Sequence, residues 1–511
     1  MKWSCKKNII VFLFLFVFLP AFGQDYQAFK PDWEYYFKGV STGNINAVVL
    51  DSTRNFSDTV CLYNFFNLRN PVDSSVHCYN PFGASWIGLN MIITQNGDHF
   101  FFNRYGDTIL LKSKSSLSDR WVMFRYPDGH YVEAKITSID TFSFLGLTDT
   151  VKVITLMGKD QNGNDLESAL NNKQILLSKK YGLIQGLDFY FFPGYQTDDP
   201  GFLINPDTVY CLAGITQLAQ GIKNITARDV FEFNIGDEFH TEYIHTPVGP
   251  YTRTKEYLIK KVIDKVVSNN KDTVRYGVAV CGRKEVTETN GNTQVSLEND
   301  TVVEMHIFSE EDRQGLGYLP GESFYKSEAG HYEYMNMSVS GDYNGRLIKS
   351  FPPVAYLLQD EDCYRMCLTT PGQPYRYYIK GCGGEYYVGN YDKEWGDHYQ
   401  LVYFKKGDET WGTPFECDGL LNKNKPVTPD TWKYTVFPNP ADHSFIVRFE
   451  NEIMHPCDFI LFDASGRKVK EVKITGRETK ISVEDLCGGF YFYEVRSSDR
   501  SVRTAGKIVI K

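Results

Sequence analysis

The sequence predicts a mainly β protein, with a β-rich body of two lobes followed by a C-terminal immunoglobulin-like β-sandwich. Three observations indicate this fold class. Phe (36) and Tyr (34) far outnumber Trp (7), and aromatic side chains favour strands. Short runs of alternating apolar residues recur along the chain, and segments with helical periodicity are few. Hydrophobic residues make up 42% of the chain and aromatic residues 15%, which excludes general disorder.

The N-terminal segment predicts a signal peptide over residues 1–23. Lysines at positions 2, 6 and 7 precede an unbroken apolar run from residue 9 to residue 22. As a helix, this run would be about 21 Å long, too short for a hydrocarbon core of about 30 Å. Small residues at positions 21 and 23 suit signal peptidase, so we expect cleavage between Gly23 and Gln24. A core helix is the alternative, but polar residues would interrupt its apolar run.

Charge and length limit the classes of function. The chain has 511 residues and a formal net charge of −9, and removal of three signal-peptide lysines makes the mature chain more acidic. This acidity argues against a nucleic-acid partner, which would need a concentrated basic face. No second apolar run is long enough for a transmembrane segment in the mature chain. The length predicts several domains, and we place the two lobes at residues 24–218 and 219–421.

Ten cysteines follow the signal peptide. An even number in an exported protein permits disulfides, so we expect at least two, with their pairing left open. Cys363, Cys367 and Cys382 are spaced somewhat like metal ligands, but no second CxxC and no HxxxH accompanies them. We therefore predict no metal site, and no cofactor motif is present.

The clearest element of the body is a hairpin around residues 257–280. Val274, Tyr276 and Val278 alternate as on a strand, after a turn-rich segment at residues 268–272. Residues 257–267 also show helical spacing, but their β-branched content favours a strand. Helices are predicted only at residues 165–172 and as a capped turn at residues 226–229.

The tripeptide Asp-Thr-Val occurs five times, and Asp107 begins a near copy. The copies begin at Asp58, Asp149, Asp207, Asp272 and Asp300. A degenerate repeated hairpin is one interpretation. Because the intervals are irregular, we favour the other, in which Asp closes a turn and Thr-Val opens a strand.

No motif of the body identifies a catalytic residue. HExxH, Walker A and GxGxxG are all absent. Residues 160–165 could supply calcium ligands, but their spacing does not fit an EF-hand and a solvated turn is favoured. His240 and Glu242 share one face of a strand whereas His245 takes the other, which disfavours a common metal or acid–base site. Adjacent carboxylates at residues 310–312 and 360–362 should likewise diverge.

Two tyrosine-rich segments, at residues 375–387 and 401–407, leave the activity of the body open. Exposed aromatic side chains could contact sugars or another protein, although core packing is the commoner fate of tyrosine in a sheet. We favour a binding or adhesion module. The alternative is an extracellular hydrolase acting on glycan or peptide, whose catalytic residues would come from distant strands.

The pattern changes after a polar linker at residues 422–431, which contains two prolines. Roughly seven short strands with regular turn signals then follow within residues 432–511, which predicts a small β-sandwich.

Four separated motifs in this segment keep their order and spacing. They are Phe437-Pro438-Asn439-Pro440, Asp463-x-x-Gly466-Arg467-x-Val469, Leu486-x-x-Gly489-Phe490-Tyr491 and a terminal strand from Lys507 to Lys511. Residues 435–511 thereby resemble the type A C-terminal sorting domain of type IX secretion cargo. Cys457 and Cys487 depart from the motifs, and a disulfide between them is one interpretation. An accessory sandwich with no sorting role would explain the strands but not the motifs.

The resemblance implies a route and a set of partners. It implies export by Sec, with signal peptidase, and then recognition by the type IX translocon. A sortase and surface lipopolysaccharide are further partners that it implies. The expected location is therefore outside the cell or on its outer surface, reached through the periplasm.

Overall fold

The structure is a computed structural model. It describes residues 25–56, 59–64, 67–69, 80–83, 85–94, 96–193, 209–246, 252–321, 324–326, 332–351, 354–360, 363–368, 375–389, 396–422, 434–449, 457–463, 467–486, 488–497 and 503–511. The predicted cleavage residues Gly23 and Gln24, most of the predicted linker, Gly466 and Cys487 lie outside these ranges.

The described residues are mainly in antiparallel strands, which confirms the predicted fold class. The strands before residue 222 are β1 (Glu34–Gly39), β2 (Asn44–Phe56), β3 (Thr59–Asn64), β4 (Asn67–Arg69), β5 (Asn80–Gly83), β6 (Asn90–Thr94), β7 (Asp98–Phe102), β8 (Thr108–Lys112), β9 (Arg120–Arg125), β10 (Tyr131–Phe144), β11 (Leu147–Lys159), β12 (Gln174–Ser178), β13 (Gly182–Leu187), β14 (Val209–Ile215) and β15 (Gln220–Gly221).

Short helices interrupt the strands of the next region. In chain order its elements are α1 (Ala227–Val230), β16 (Glu238–Thr246), β17 (Arg253–Val267), β18 (Thr273–Thr287), β19 (Thr293–Ile307), α2 (Phe308–Glu311), a π-helical turn (Asp312–Leu316), β20 (Phe324–Lys326), β21 (Tyr332–Tyr334), β22 (Asn336–Val339), β23 (Leu347–Phe351), β24 (Val354–Asp360), β25 (Cys363–Leu368), β26 (Tyr375–Ile379), β27 (Gly383–Val388), β28 (Gly396–Lys406), β29 (Glu409–Gly412) and α3 (Cys417–Leu420). Two 3₁₀ turns, Thr216–Leu218 and Tyr343–Gly345, complete the body.

In the C-terminal region, the described secondary-structure elements are strands. They are β30 (Tyr434–Phe437), β31 (Ser444–Phe449), β32 (Cys457–Phe462), β33 (Lys468–Ile474), β34 (Glu478–Ser482), β35 (Gly489–Ser497) and β36 (Arg503–Ile510).

The chain forms two compact units. The first comprises Met1–Tyr35, Val49–Asn64 and Ala84–Gly221, and the second comprises Tyr36–Val48, Phe65–Gly83 and Ile222–Lys511. In the first unit, strands β9 to β15 pair antiparallel in chain order. Trp86 stacks on Tyr210 in its core, with ring centroids 4.4 Å apart.

In the second unit, a long antiparallel sheet runs in the order β19-β18-β17-β16-β28-β27-β26-β23-β22. Strands β17 and β18 form the hairpin that the alternation of Val274, Tyr276 and Val278 predicts. These three side chains are buried against Phe404 and other residues of the sheet core. The predicted strand periodicity therefore identified the buried face correctly.

The segment after β29 is fastened to this sheet. A disulfide joins Cys281 in β18 to Cys417 in α3, across 136 residues of sequence. The Arg283 guanidinium donates a hydrogen bond to the carbonyl oxygen of Asn422 (2.6 Å), and Leu420 is buried beside Tyr257 and Cys281. This disulfide accounts for one of the two or more that the sequence predicts, and the rest of that prediction stays open.

The helix predicted at residues 165–172 is wrong, since Asp165 forms an isolated bridge, residues 166–168 are irregular and residues 169–172 form a turn. The Asn171 side chain explains the difference, because its oxygen accepts from the Gly158 N–H (2.7 Å) and its nitrogen donates to the Leu166 carbonyl (2.8 Å). These bonds tie the segment to the end of β11 and compete with helical hydrogen bonds. The capped turn is confirmed as α1, where the Asp229 carboxylate accepts from the Thr226 N–H and hydroxyl.

The interpretation of Asp-Thr-Val as the end of a turn and the start of a strand fits some copies only. Strands β3 and β18 begin at the threonine of such a tripeptide, and β8 at that of the near copy. Asp149 and Asp300 instead lie inside β11 and β19. Among the described residues, no helix has the length and apolar character needed to cross a membrane.

Candidate sorting site

The C-terminal strands form the two sheets of a sandwich, as the sequence predicts. One sheet has the order β30-β31-β34 and the other β33-β32-β35-β36. Their inner faces bury a common core that includes Phe445, Phe459, Leu461, Val495 and Ile508. Alternate residues of each strand face this core, because side chains on a strand point to opposite faces.

Asn439 holds the terminal strand through its side chain. Its amide nitrogen donates to the Lys507 carbonyl oxygen (3.1 Å), and its amide oxygen accepts from the Val509 N–H (3.0 Å). These are the two contacts that the backbone of a neighbouring strand would make. A carboxylate could not make the first, since it has no donor. The sequence pattern predicts a sorting role for Asn439, and the structure shows that its side chain binds the terminal strand.

The rest of the Pro-Asn-Pro-Ala segment continues along the same edge of β36. The Ala441 N–H donates to the Val509 carbonyl (2.8 Å), and the Ala441 carbonyl accepts from the Lys511 N–H (2.9 Å). Pro438 and Pro440 have no N–H group, so neither leaves a donor unpaired in this segment. The segment therefore covers the outer edge of β36 over residues 507–511, which would otherwise be open to another strand.

The Asp463 motif closes the turn between β32 and β33. The Arg467 N–H and its side-chain Nε donate to the two carboxylate oxygens of Asp463 (3.0 and 3.1 Å). The Asp463 N–H donates in return to the Arg467 carbonyl (3.0 Å). These three hydrogen bonds link Asp463 to Arg467 at the two ends of the connection between β32 and β33.

The third motif places Tyr491 in the core and starts β35 at Gly489, opposite Ile510. Sequence reasoning gave no role to Gly506, which lies opposite Tyr493. A Cβ atom at Gly506 would come within 2.3 Å of the Tyr493 ring, and that ring stacks on Phe459 with centroids 5.0 Å apart. The sequence feature that could have identified Gly506 is its position directly before Lys507, inside a predicted strand, where glycine is unfavourable.

The outer face of the β33-β32-β35-β36 sheet, which points away from the sandwich core, exposes two phenylalanine side chains to solvent. Phe490 is 68% exposed and Phe492 is 53% exposed. Phe492 lies between Phe462 of β32 and Lys507 of β36, and Phe490 lies opposite Val509. No aromatic ring among the described residues stacks on either phenylalanine.

Cys457 is a free thiol buried in the sandwich core. Burial raises the pKa of this thiol to about 11, with a smaller contribution from Asp458. The structure therefore does not support the interpretation of Cys457 as half of a disulfide.

The side chains at residues 160–165, which could supply calcium ligands, form hydrogen bonds within their own turn. The Asp160 carboxylate accepts the N–H groups of Asn162 and Asn164 and the side-chain amide of Asn164, each at 2.8 Å. The Asn164 side chain is the largest cause of a lowered Asp160 pKa. These bonds define a turn, in agreement with the interpretation that the sequence favours. In the described ranges, no group of three His, Cys, Asp or Glu side chains could hold a metal ion.

His240 and His245 have separate partners, as their strand positions predict. The Phe415 N–H donates to Nδ1 of the buried His240 (2.8 Å), so the ring proton is on Nε2 and is donated to Glu238 (2.9 Å). Burial lowers the pKa of His240. His245 instead pairs with Asp397. His240 therefore fastens residues 413–422 to β16 and has no nitrogen left for a metal.

Lys349 is a buried cation without a carboxylate among its hydrogen-bond partners. Its Nζ donates to oxygens of Asn224, Ile225, Leu316 and Tyr318 at 2.5–3.2 Å. Burial lowers its pKa to about 7. The lysine joins β23 to the segments on either side of it, which is a structural role.

One cluster of ionisable side chains retains polar atoms without a partner. His306 Nδ1 bonds to Glu311 (2.9 Å), while His306 Nε2 and the other Glu311 oxygen are buried and unpaired within the described residues. Nearby, the Tyr378 hydroxyl donates to Glu385 (2.9 Å), which Arg376 also contacts (3.2 Å). Burial, Glu385 and Glu311 raise the pKa of Tyr378.

Most of the tyrosines in the two tyrosine-rich segments pack into the sheet. Tyr377 and Tyr386 are buried, and Tyr378 is half-buried against the same core. Tyr375 remains exposed. The segments therefore supply core packing first, as expected for tyrosine in a sheet.

Comparison with known proteins identifies only the C-terminal region. Residues 435–511 match the family model described as a secretion system C-terminal sorting domain. No curated protein matches the chain. One solved structure is similar at 10% sequence identity, and its alignment covers 92% of this chain and 79% of the other chain, with a TM-score of 0.18. It is PorZ, described as an essential bacterial surface component of the type IX secretion system of the human oral bacterium Porphyromonas gingivalis.

The matched residues are the ones whose motifs organise the sandwich. Asn439, Asp463, Tyr491 and the terminal strand each have a defined place in it. Residues 435–511 therefore belong to the family of secretion system C-terminal sorting domains.

Proposed function

We propose that this protein is exported in two steps and ends outside the cell or on its outer surface. Sec carries the chain into the periplasm, and signal peptidase cuts between Gly23 and Gln24. The type IX translocon then recognises residues 435–511. A sortase removes this domain and either joins the body to surface lipopolysaccharide or releases it. The observation that carries the proposal is the family match of residues 435–511, together with the Asn439 contacts that complete the domain.

The second export step is tested by removing and transplanting the sorting domain. In a bacterium with an active type IX system, the chain without residues 432–511 should accumulate in the periplasm. A fluorescent protein carrying a signal peptide and residues 422–511 should reach the medium or the surface. A fusion that stays in the periplasm would contradict the proposal.

The first step is tested by the mass of the exported protein. We expect an N-terminus at Gln24, either free or cyclised to pyroglutamate. Retention of the apolar run at residues 9–22 in the exported protein would rule out this cleavage.

For the body, we propose a binding or adhesion module. The supporting observation is an apolar strip on β19, whose only strand partner in the described part of the chain is β18. Val303 is 66% exposed and Met305 is 61% exposed, on alternate residues and therefore on one face. Exposed apolar strips of this kind are typical of contact surfaces. Binding of the purified body to a panel of glycans and proteins should be lost in a Val303→Thr, Met305→Thr double variant.

A hydrolase is the second candidate, and the His306 cluster is the observation that favours it. A histidine oriented by a carboxylate, with its second nitrogen unpaired, is an arrangement used in general acid–base catalysis. Reproducible turnover of a glycan or peptide that a His306→Gln variant abolishes would replace the binding proposal. A Tyr105→Phe variant, altered in the first unit and outside this cluster, serves as the control.

A further inference from the structure

We propose that the open end of the β32-β35-β36 face is the surface that the type IX translocon binds. This surface, the Phe490 face, consists of Phe462, Phe490, Phe492, Lys507 and Val509. The inference rests on the proposed export route and adds to it the contact residues and the chemistry of the partner.

The placement of the aromatic side chains is the first argument. Tyr491 points into the core, so its neighbours Phe490 and Phe492 point outward from the same strand. Full burial of a phenylalanine contributes about 2 kcal/mol, and neither residue obtains that stabilisation within its own domain. Two adjacent exposed phenylalanines are typical of the centre of a protein contact.

The covered edge of β36 is the second argument. A partner could recognise the terminal strand by adding a strand to its edge. Over residues 507–511, however, Asn439 and Ala441 already bind the backbone groups on that edge. Strand addition there would have to displace the Pro-Asn-Pro-Ala segment. The side chains of the sheet face remain available for recognition.

Charge indicates the chemistry of the partner. Lys507 lies directly beside Phe492 and is exposed. Residues 432–511 contain thirteen Lys and Arg and eleven Asp and Glu residues, whereas the whole chain has a net charge of −9. The complementary surface is therefore an apolar patch edged by carboxylates on an outer-membrane protein of the translocon. A lipid A surface is apolar and anionic too, and the experiment below distinguishes it.

Export of the full chain tests the inference. A Phe490→Thr, Phe492→Thr double variant keeps good strand formers and should lower the secreted fraction by about tenfold or more, with accumulation in the periplasm. Lys507→Glu should also lower it, because it reverses the charge beside the aromatic pair. The matched control is Tyr105→Thr with Leu117→Thr, which removes two large apolar side chains that are 62% and 56% exposed in the first unit. Its secretion should be unchanged.

The outcomes separate this inference from the proposed export route. Each purified variant should unfold at the temperature of the unmodified protein, which excludes misfolding as the cause of lost export. Normal export of both Phe490 face variants, while the chain without residues 432–511 stays in the periplasm, would overturn the inference and leave the route intact. Normal export without residues 432–511 would overturn the route. Normal export together with phenylalanine-dependent binding to lipopolysaccharide vesicles would assign the face to lipid instead.

Discussion

His99 lies in β7 and is buried, with both ring nitrogens hydrogen-bonded. The Ala28 N–H donates to Nε2 (3.1 Å), so the proton is on Nδ1 and is donated to the Gly97 carbonyl (2.9 Å). A second proton on Nε2 would break the first bond. Burial lowers the pKa of His99 from 6.5 to about 4, so this residue is neutral in the folded protein at neutral pH.

The lowered pKa of His99 predicts a loss of stability in acid. Above pH 6.5 the ring is neutral in both states and the stabilisation is complete. As the pH falls from 6.5 towards about 4, the unfolded state gains a proton first and the stabilisation is lost. Between about pH 7.5 and pH 4.5 we expect a loss of about 2.5 kcal/mol from His99. Urea unfolding should show a smaller loss for His99→Gln, while His130→Gln, at a half-buried position near the surface, should behave as the unmodified protein.

Asn439 supports a second prediction at this scale. Asn439→Ala removes two hydrogen bonds and leaves the Lys507 carbonyl and the Val509 N–H without their partner. We expect the sorting domain to lose about 1–3 kcal/mol and export to decrease. Asn439→Asp should also destabilise it, because a carboxylate cannot donate to the Lys507 carbonyl. Asp442→Ala, at an exposed neighbouring position, is the control, and denaturant unfolding is the measurement.

Strand β36 pairs closely with β35 at Gly506. Gly506→Ala places a methyl group 2.3 Å from Tyr493, and the stacking of Tyr493 on Phe459 limits its movement. We expect a destabilisation of about 2 kcal/mol. Gly476→Ala, where nothing lies within 4 Å of the new atom, is the matched control in the same domain. Equal stability of the two variants in thermal unfolding would contradict this account of Gly506.

The disulfide between β18 and α3 closes a loop of 136 residues. Loop entropy predicts a stabilisation of about 5 kcal/mol. Cys281→Ser with Cys417→Ser should therefore lower the unfolding free energy by an amount of this order, whereas Cys211→Ser, at a free thiol, should have little effect. Calorimetry under non-reducing conditions measures the difference.

The elements that could be predicted are those determined by neighbouring residues. The β17–β18 hairpin followed from the alternation at Val274 and Tyr276, and α1 from the pairing of Thr226 with Asp229. The helix expected at residues 165–172 failed because Asn171 bonds to Gly158 in another segment, which no local pattern records. The pairing of Cys281 with Cys417 and the four partners of Lys349 also join distant segments, so the sequence could not specify them.

At the scale of the whole molecule, function was predictable only at the C-terminus. The sorting motifs keep fixed spacing because each residue meets its partner within a short sandwich, as Asp463 meets Arg467. The Phe490 face could not be predicted, because alternation alone does not say which side of β35 lies against the core. In the body, the His306 cluster assembles from β19, α2, β26 and β27, and no single segment contains its pattern.

The polar linker predicts how the molecule divides. Limited proteolysis should cut first within residues 423–433, which are rich in Asn, Lys and Pro. We expect two resistant fragments, the body and the sorting domain, identified by mass spectrometry. First cleavage inside β17 or β18 would contradict this prediction.

The Cys281–Cys417 disulfide and the hydrogen bond from Arg283 to Asn422 determine how the body would carry a mechanical load. If the protein is held at the cell surface by the chain after Asn422, fluid drag pulls on the body at that residue. The load then reaches the disulfide at Cys417, only five residues before Asn422. The disulfide transmits the force to β18, so β29 and β28 are not pulled away from the sheet one after the other. Strand β18 has a long partner on each side, so the force is shared by many hydrogen bonds at once. Such a body would withstand tension that is applied at Asn422.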